Sequence, residues 1–169
     1  MRVISYFLCF FALSLLPCAA RLGETIEECH QRYGEPKTRE TEEAGRAKHE
    51  VFIVGDFRID IFYLDQKAVD VRYTKRGERI SLDEARIILG EKESSETQWK
   101  APTVIRTQIP NEQAVLEFHT FTVWKRSDGA SGTLDEGPDI TELRLDIPGW
   151  ELANSLIREA RPTNATKGL

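Results

Sequence analysis

Two rhythms of apolar residues run through this chain. Ile26, Cys29, His30 and Tyr33 follow the i, i+3, i+4, i+7 spacing of a helix with one buried face, and Leu82, Ala85, Ile88 and Leu89 mark a second such face. Between them the period changes to two. Val51 and Ile53, then Phe57, Ile59, Ile61 and Tyr63, then Val69, Val71 and Tyr73 alternate with polar positions such as Arg58, Asp60, Asp70 and Arg72. This predicts an antiparallel meander over 50–75, reversed at Gly55-Asp56, where Gly supplies a positive φ, and again at Asp65-Gln66-Lys67.

The two helical stretches share punctuation. TIEECHQRYGEP over 25–36 and SLDEARIILGEK over 81–92 each place a hydroxyl residue three positions before Glu, the capping-box arrangement, and a Gly where the helix stops. After the second helix the pattern loosens. Glu91–Gln98 reads as a loop, Trp99–Ile109 as a broken strand kept at an edge by Pro102 and Pro110, and Ala114–Arg126 as a strong strand. Ala130–Asp139, rich in Gly, Ser and acids, predicts a flexible stretch; Ile140–Ile147 predicts a last strand, and Trp150–Glu159 a short terminal helix. The expected fold class is α+β: two tandem helix-plus-antiparallel-meander modules, 21–78 and 79–160, packed into one body with the helices on one side of the sheet, followed by a disordered tail over 161–169.

The amino-terminal residues change the expected compartment. Arg2, the uncharged apolar run Val3–Leu16 and the small residues of Cys18-Ala19-Ala20 form a signal-peptide pattern over 1–20 with cleavage after Ala20. The run is short for a membrane span, and Pro17 stands where a lipobox places a small residue, so the reading is an exported, periplasmic or secreted protein with no transmembrane segment in the mature chain. Of three cysteines, only Cys29 lies beyond the leader, which excludes an intrachain disulfide there. Its place on the helical stripe predicts burial, with a Cys29-linked dimer as the other use of a lone thiol.

Charge narrows the partners. The 169 residues carry 23 Lys and Arg against 28 Asp and Glu, a formal net charge of −5, and the cations are interspersed with acids rather than gathered on one stretch. Nucleic acid is therefore not an expected partner.

The punctuation of the first module carries a resemblance. Gly23-x-Thr25-x-x-Glu28, closing on Tyr33-Gly34-Glu35-Pro36 and followed by a meander with Phe62-Tyr63, resembles the helix-plus-sheet modules of the BLIP-like superfamily, which includes the β-lactamase inhibitor proteins and the SmpA/OmlA lipoproteins. The resemblance covers residues 23–75, and 80–147 more loosely. It implies an extracytoplasmic protein-binding module without an active site. The chain departs from that pattern in having no lipobox, no disulfides in the mature part, and Gly90-Glu91-Lys92 without a proline.

Catalytic chemistry has few starting points. Cys29 and His30 are neighbours, which on a helix sets their side chains about 100° apart rather than facing each other. Glu117 and His119 lie two apart on one strand and share a face, so a small cofactor-free hydrolase built on His119 with Glu117, or on His30, is the alternative function. The histidines at 30, 49 and 119 lack metal-ligand spacing, and no phosphate-binding loop or cofactor motif occurs. The primary expectation is a soluble, non-enzymatic module that binds another protein or an envelope component. Candidate contacts are the sheet aromatics Tyr63, Tyr73, Phe121 and Trp124.

Overall fold

A computed structural model describes residues 22–41, 45–90, 99–110, 113–114, 116–138 and 141–160. The leader over 1–20 and the tail over 161–169 lie outside the described residues. In chain order the elements are α1 (Ile26–Tyr33), β1 (Thr38–Thr41), β2 (Ala47–Val54), β3 (Phe57–Leu64), β4 (Lys67–Lys75), α2 (Leu82–Leu89), β5 (Thr103–Pro110), β6 (Leu116–Lys125), β7 (Ser131–Glu136), β8 (Thr141–Asp146) and α3 (Trp150–Ala160).

The strands form one eight-stranded antiparallel sheet in the order β1-β2-β3-β4-β8-β7-β6-β5. This corrects the expected fold class. The chain is a sheet-dominated fold with three short helices, not two helix-plus-meander modules. The physical reason lies at the centre of the sheet, where β4 and β8 pair from Asp70↔Asp146 to Thr74↔Glu142. Neither meander keeps an edge there, so their apolar faces merge into one core.

That core lies on the face built from alternate strand positions. Phe52, Ile59, Ile61, Val71, Leu134 and Leu143 are fully buried, and Cys29 and Tyr33 of α1 and Ala85, Ile88 and Leu89 of α2 close over them. Each fully buried aliphatic or aromatic side chain contributes about 1.5–3 kcal/mol of transfer free energy, so this face dominates stability. Both capping boxes are present. Thr25 Oγ1 accepts from the Glu28 backbone N–H at 3.3 Å while Glu28 accepts from the Thr25 N–H at 2.8 Å, and Ser81 and Glu84 repeat the exchange at 3.2 and 2.9 Å.

The third helix departs from the expectation of helices on one side. α3 packs against β2 and β3 on the opposite face, where Ile157 meets Ala47 and Phe62. Its anchorage is largely polar. Asn154 donates to Asp70 at 3.1 Å, and the Arg144 guanidinium lies 3.6 Å from the centre of the Trp150 ring.

The stretch over 130–139, expected to be flexible, contains β7, held between β6 and β8. Gly132 belongs there for a packing reason. A Cβ at that position would come within 2.8 Å of Leu89 Cδ2 and 3.3 Å of Leu145 Cδ2, so its absence lets α2 settle onto the strand.

Candidate binding surface

The helices cover the sheet unevenly, and this positions the candidate surface. α2 contacts β7, while α3 contacts β1 to β4 on the other face. β5 has no extensive contact with either and pairs only with β6 among the described residues. All eight of its residues are exposed. The β5–β6 register, Thr103↔Val123 through Pro110↔Leu116, therefore forms an arm at one end of the sheet.

The arm exposes apolar side chains on both faces. Val104 and, across the register, Leu116 and Phe118 share the face that carries the core further along the sheet; their exposures are 57, 58 and 75 %. Ile105 and Ile109 lie on the reverse face beside Phe121 and are also exposed. Burying such a cluster against a partner removes apolar surface from water, as isolated exposed hydrophobics do not.

Three of the four expected contact aromatics lie elsewhere. Tyr63, Tyr73 and Trp124 are core residues, at most 1 % exposed, and offer no contact surface. Their parity explains it: Tyr63 shares a face with Ile59 and Ile61, and Tyr73 pairs with Ile59 under the helices. Burial pushes the Tyr63 phenol well above its usual range, and the Tyr73 hydroxyl lies 3.3 Å from that of Tyr33. Phe121 alone remains at the surface, half-buried, with its ring stacked on His119 at 5.9 Å between centroids.

Each of the three histidines meets a carboxylate. His119 Nδ1 meets Asp135 at 2.8 Å rather than Glu117, and Gly137 backs the ring so closely that a Cβ would approach Cε1 to 2.7 Å. His119 thus meets a carboxylate and an aromatic ring, and Thr107 stands directly opposite it in the β5–β6 register. His30 Nε2 meets Glu50 at 2.8 Å, and Glu50 also receives Arg39 at 3.2 Å. Cys29, 1 % exposed, faces Glu24 at 3.9 Å, and burial pushes its thiol up to about 11. That thiol is out of reach of a second chain while α1 is in place. His49 is buried between Glu40 and Asp60, at 3.3 and 3.0 Å, and stacks on Phe62. Among the described residues no group of three or more His, Cys, Asp and Glu side chains is arranged to hold a metal ion. No helix among them is long and apolar enough to cross a membrane.

The exposed arm had a signal in the sequence. Apolar residues stand at both parities in β5, as Val104 and Ile105, and in β6, as Phe118 and Phe121, which is the pattern of a strand covered on both faces. Here no element of the described chain supplies that cover. Only the register shows it.

No protein-family model matches this sequence, and no curated protein matches it. Among solved structures the chain is similar to a cysteine-rich secretory protein from Staphylococcus aureus subsp. aureus Mu50, at 12 % identity and a TM-score of 0.44. The likeness covers 76 % of this chain and 45 % of that one, so the chain spans less than half the length of its structural neighbour.

Proposed function

We propose that this chain is an exported, non-enzymatic binding protein whose contact surface is the β5–β6 arm. The observation that carries the reading is the exposure of Val104, Leu116 and Phe118 on one face of an arm that, among the described residues, has no extensive contact with a helix. The leader-like residues 1–20 support export, since the Arg2, apolar-run and Ala19-Ala20 pattern is that of a secretory signal. The partner is a protein presenting an apolar patch, because a large exposed aromatic beside aliphatic neighbours gains most from a dry contact. His30, His49 and His119 serve this reading as hydrogen-bond partners of carboxylates that hold strands and α1 in place.

The test is a comparative pull-down from envelope extract with the wild type and with Phe118→Ser/Leu116→Ser. Both residues are exposed, so the double variant should keep its fold by circular dichroism. A captured protein that is lost with the variant supports the surface. Equal capture by both chains excludes it.

A further inference from the structure

Among the described residues the outer edge of β5 is unpaired, and it has a property beyond exposure. Val104-Ile105-Arg106-Thr107-Gln108-Ile109-Pro110 is nearly palindromic in side-chain class about Thr107. Isoleucines flank it at two residues, a cation and a neutral amide at one, and Val and Pro at three. An antiparallel pair of identical strands related by a two-fold axis perpendicular to the sheet must place some residue opposite itself, and a palindromic strand presents matching classes there.

We infer that β5 pairs with β5 of a second copy of this chain, antiparallel and centred on Thr107. In that register Thr107 faces Thr107 of the partner copy, a favourable cross-strand pair. Ile105 faces the partner's Ile109 on the same face, and the relation repeats on the other side of the axis. Since Phe121 neighbours Ile105 across β6, an apolar row runs from Phe121 through Ile105 to the partner's Ile109. On the opposite face Arg106 meets Gln108, and Val104 meets Pro110, which extends the row that Leu116 begins. Arg106 is the one charged residue in β5, so no like charges stand opposite one another despite the net charge of −5.

The other edge of the sheet is unsuited to this role. β1 has four residues, Thr-Arg-Glu-Thr, and its Arg39 and Glu40 are held by Glu50 and His49. It is also contacted by α3. Short, charged and covered strands are how proteins blunt an edge, whereas β5 is eight residues long and exposed throughout. Pro110 at its end limits pairing to a finite length, which suits a closed dimer rather than an open stack.

This inference shares Val104 with the binding reading, but its test replaces Ile105 and Ile109, which lie on the reverse face from Leu116 and Phe118. Light scattering on the purified protein over a wide range of concentration should show the mass doubling, and Ile105→Lys/Ile109→Lys, which sets like charges opposite each other, should stay at the single-chain mass with an unchanged circular dichroism spectrum. A wild type that remains single-chain throughout, or a double lysine variant that still doubles, overturns the proposal.

The register has its own test. Directly opposed residues in an antiparallel pair have Cα atoms about 4.5–5.5 Å apart, within disulfide range, so Thr107→Cys should form a covalent dimer on mild oxidation. Thr103→Cys, whose symmetry mate lies roughly 27 Å away at about 3.4 Å per residue, should not. Equal cross-linking of both variants, or of neither, would refute the Thr107 axis. Wild type, with Cys29 buried, is the control.

Discussion

Asp70 and Arg144, 74 residues apart in the chain, are joined by two hydrogen bonds of 3.1 Å, one to each carboxylate oxygen. Asp70 is fully buried and also receives Arg72 at 2.7 Å and Asn154 at 3.1 Å. One carboxylate thus holds both central strands and α3. Neutralising it leaves two guanidinium groups facing each other across β4 and β8 without their common counter-ion. Asp70→Ala should therefore cost about 3 kcal/mol, the low end of the range for breaking a buried pair because both arginines keep some access to water. The measurement is the urea midpoint. A change within experimental error would show that the sheet centre does not depend on this carboxylate.

A second dependence concerns acid. Burial alone would raise the Asp60 carboxyl, but hydrogen bonds from His49 and Arg58 outweigh it and hold the group at about 2, below its ordinary 3.8. A folded-state value depressed below the unfolded one contributes stability that is fully present above the unfolded value and is lost as pH falls from about 3.8 through about 2. Asp60→Asn should accordingly be less stable than wild type by about 2 kcal/mol near neutrality, and the two should converge near pH 2. Chemical denaturation of both proteins across that interval checks it; a gap that is constant with pH contradicts the linkage.

Thiol chemistry gives a third. Cys29 is buried under α1, where burial pushes it up to about 11, so the native chain presents it neither accessible nor ionised at neutral pH. Its reaction with an aromatic disulfide reagent should be suppressed by on the order of a thousandfold relative to the unfolded chain and should accelerate with denaturant in parallel with unfolding. Rapid stoichiometric labelling of the native protein would show that α1 opens far more readily than its packing suggests.

Much of the local structure was legible from spacing. The caps at Thr25 and Ser81 depend only on residues three apart, and the strands β2 to β4 could be read as a meander. Yet β2 lies in the opposite phase from Val51 and Ile53: Phe52 pairs with Ile59 on the core face, and Ile53, opposite Arg58, is exposed. The terminal helix and the exposed edge strand were also legible, the latter because Pro102 and Pro110 bracket it. What escaped was set by distant partners. β7 looked like a loop because Gly132 weakens a strand locally, yet Gly132 is where Leu89 requires room. α3 was readable as a helix, but its place on the reverse face depends on Ala47 and Phe62, which receive Ile157, and on Asp70 and Arg72, which bond Asn154, none of which its own spacing identifies. The aromatic candidates failed for a related reason. Parity along β3 and β4 tied Tyr63 and Tyr73 to Ile59 and Ile61, but a period of two does not say which face a helix will cover.

The pairing of β4 with β8 also orders events in time. As the chain leaves the ribosome, β4 is complete long before β8 exists, and its outward-facing backbone must wait while α2, β5, β6 and β7 are made. Closing that gap joins segments far apart in sequence, a step whose entropy cost makes it slow relative to the local hairpins on either side. Nascent β1 to β4 is therefore a sheet with an open flank, and the interval before Arg144 reaches Asp70 is when this protein most needs a chaperone.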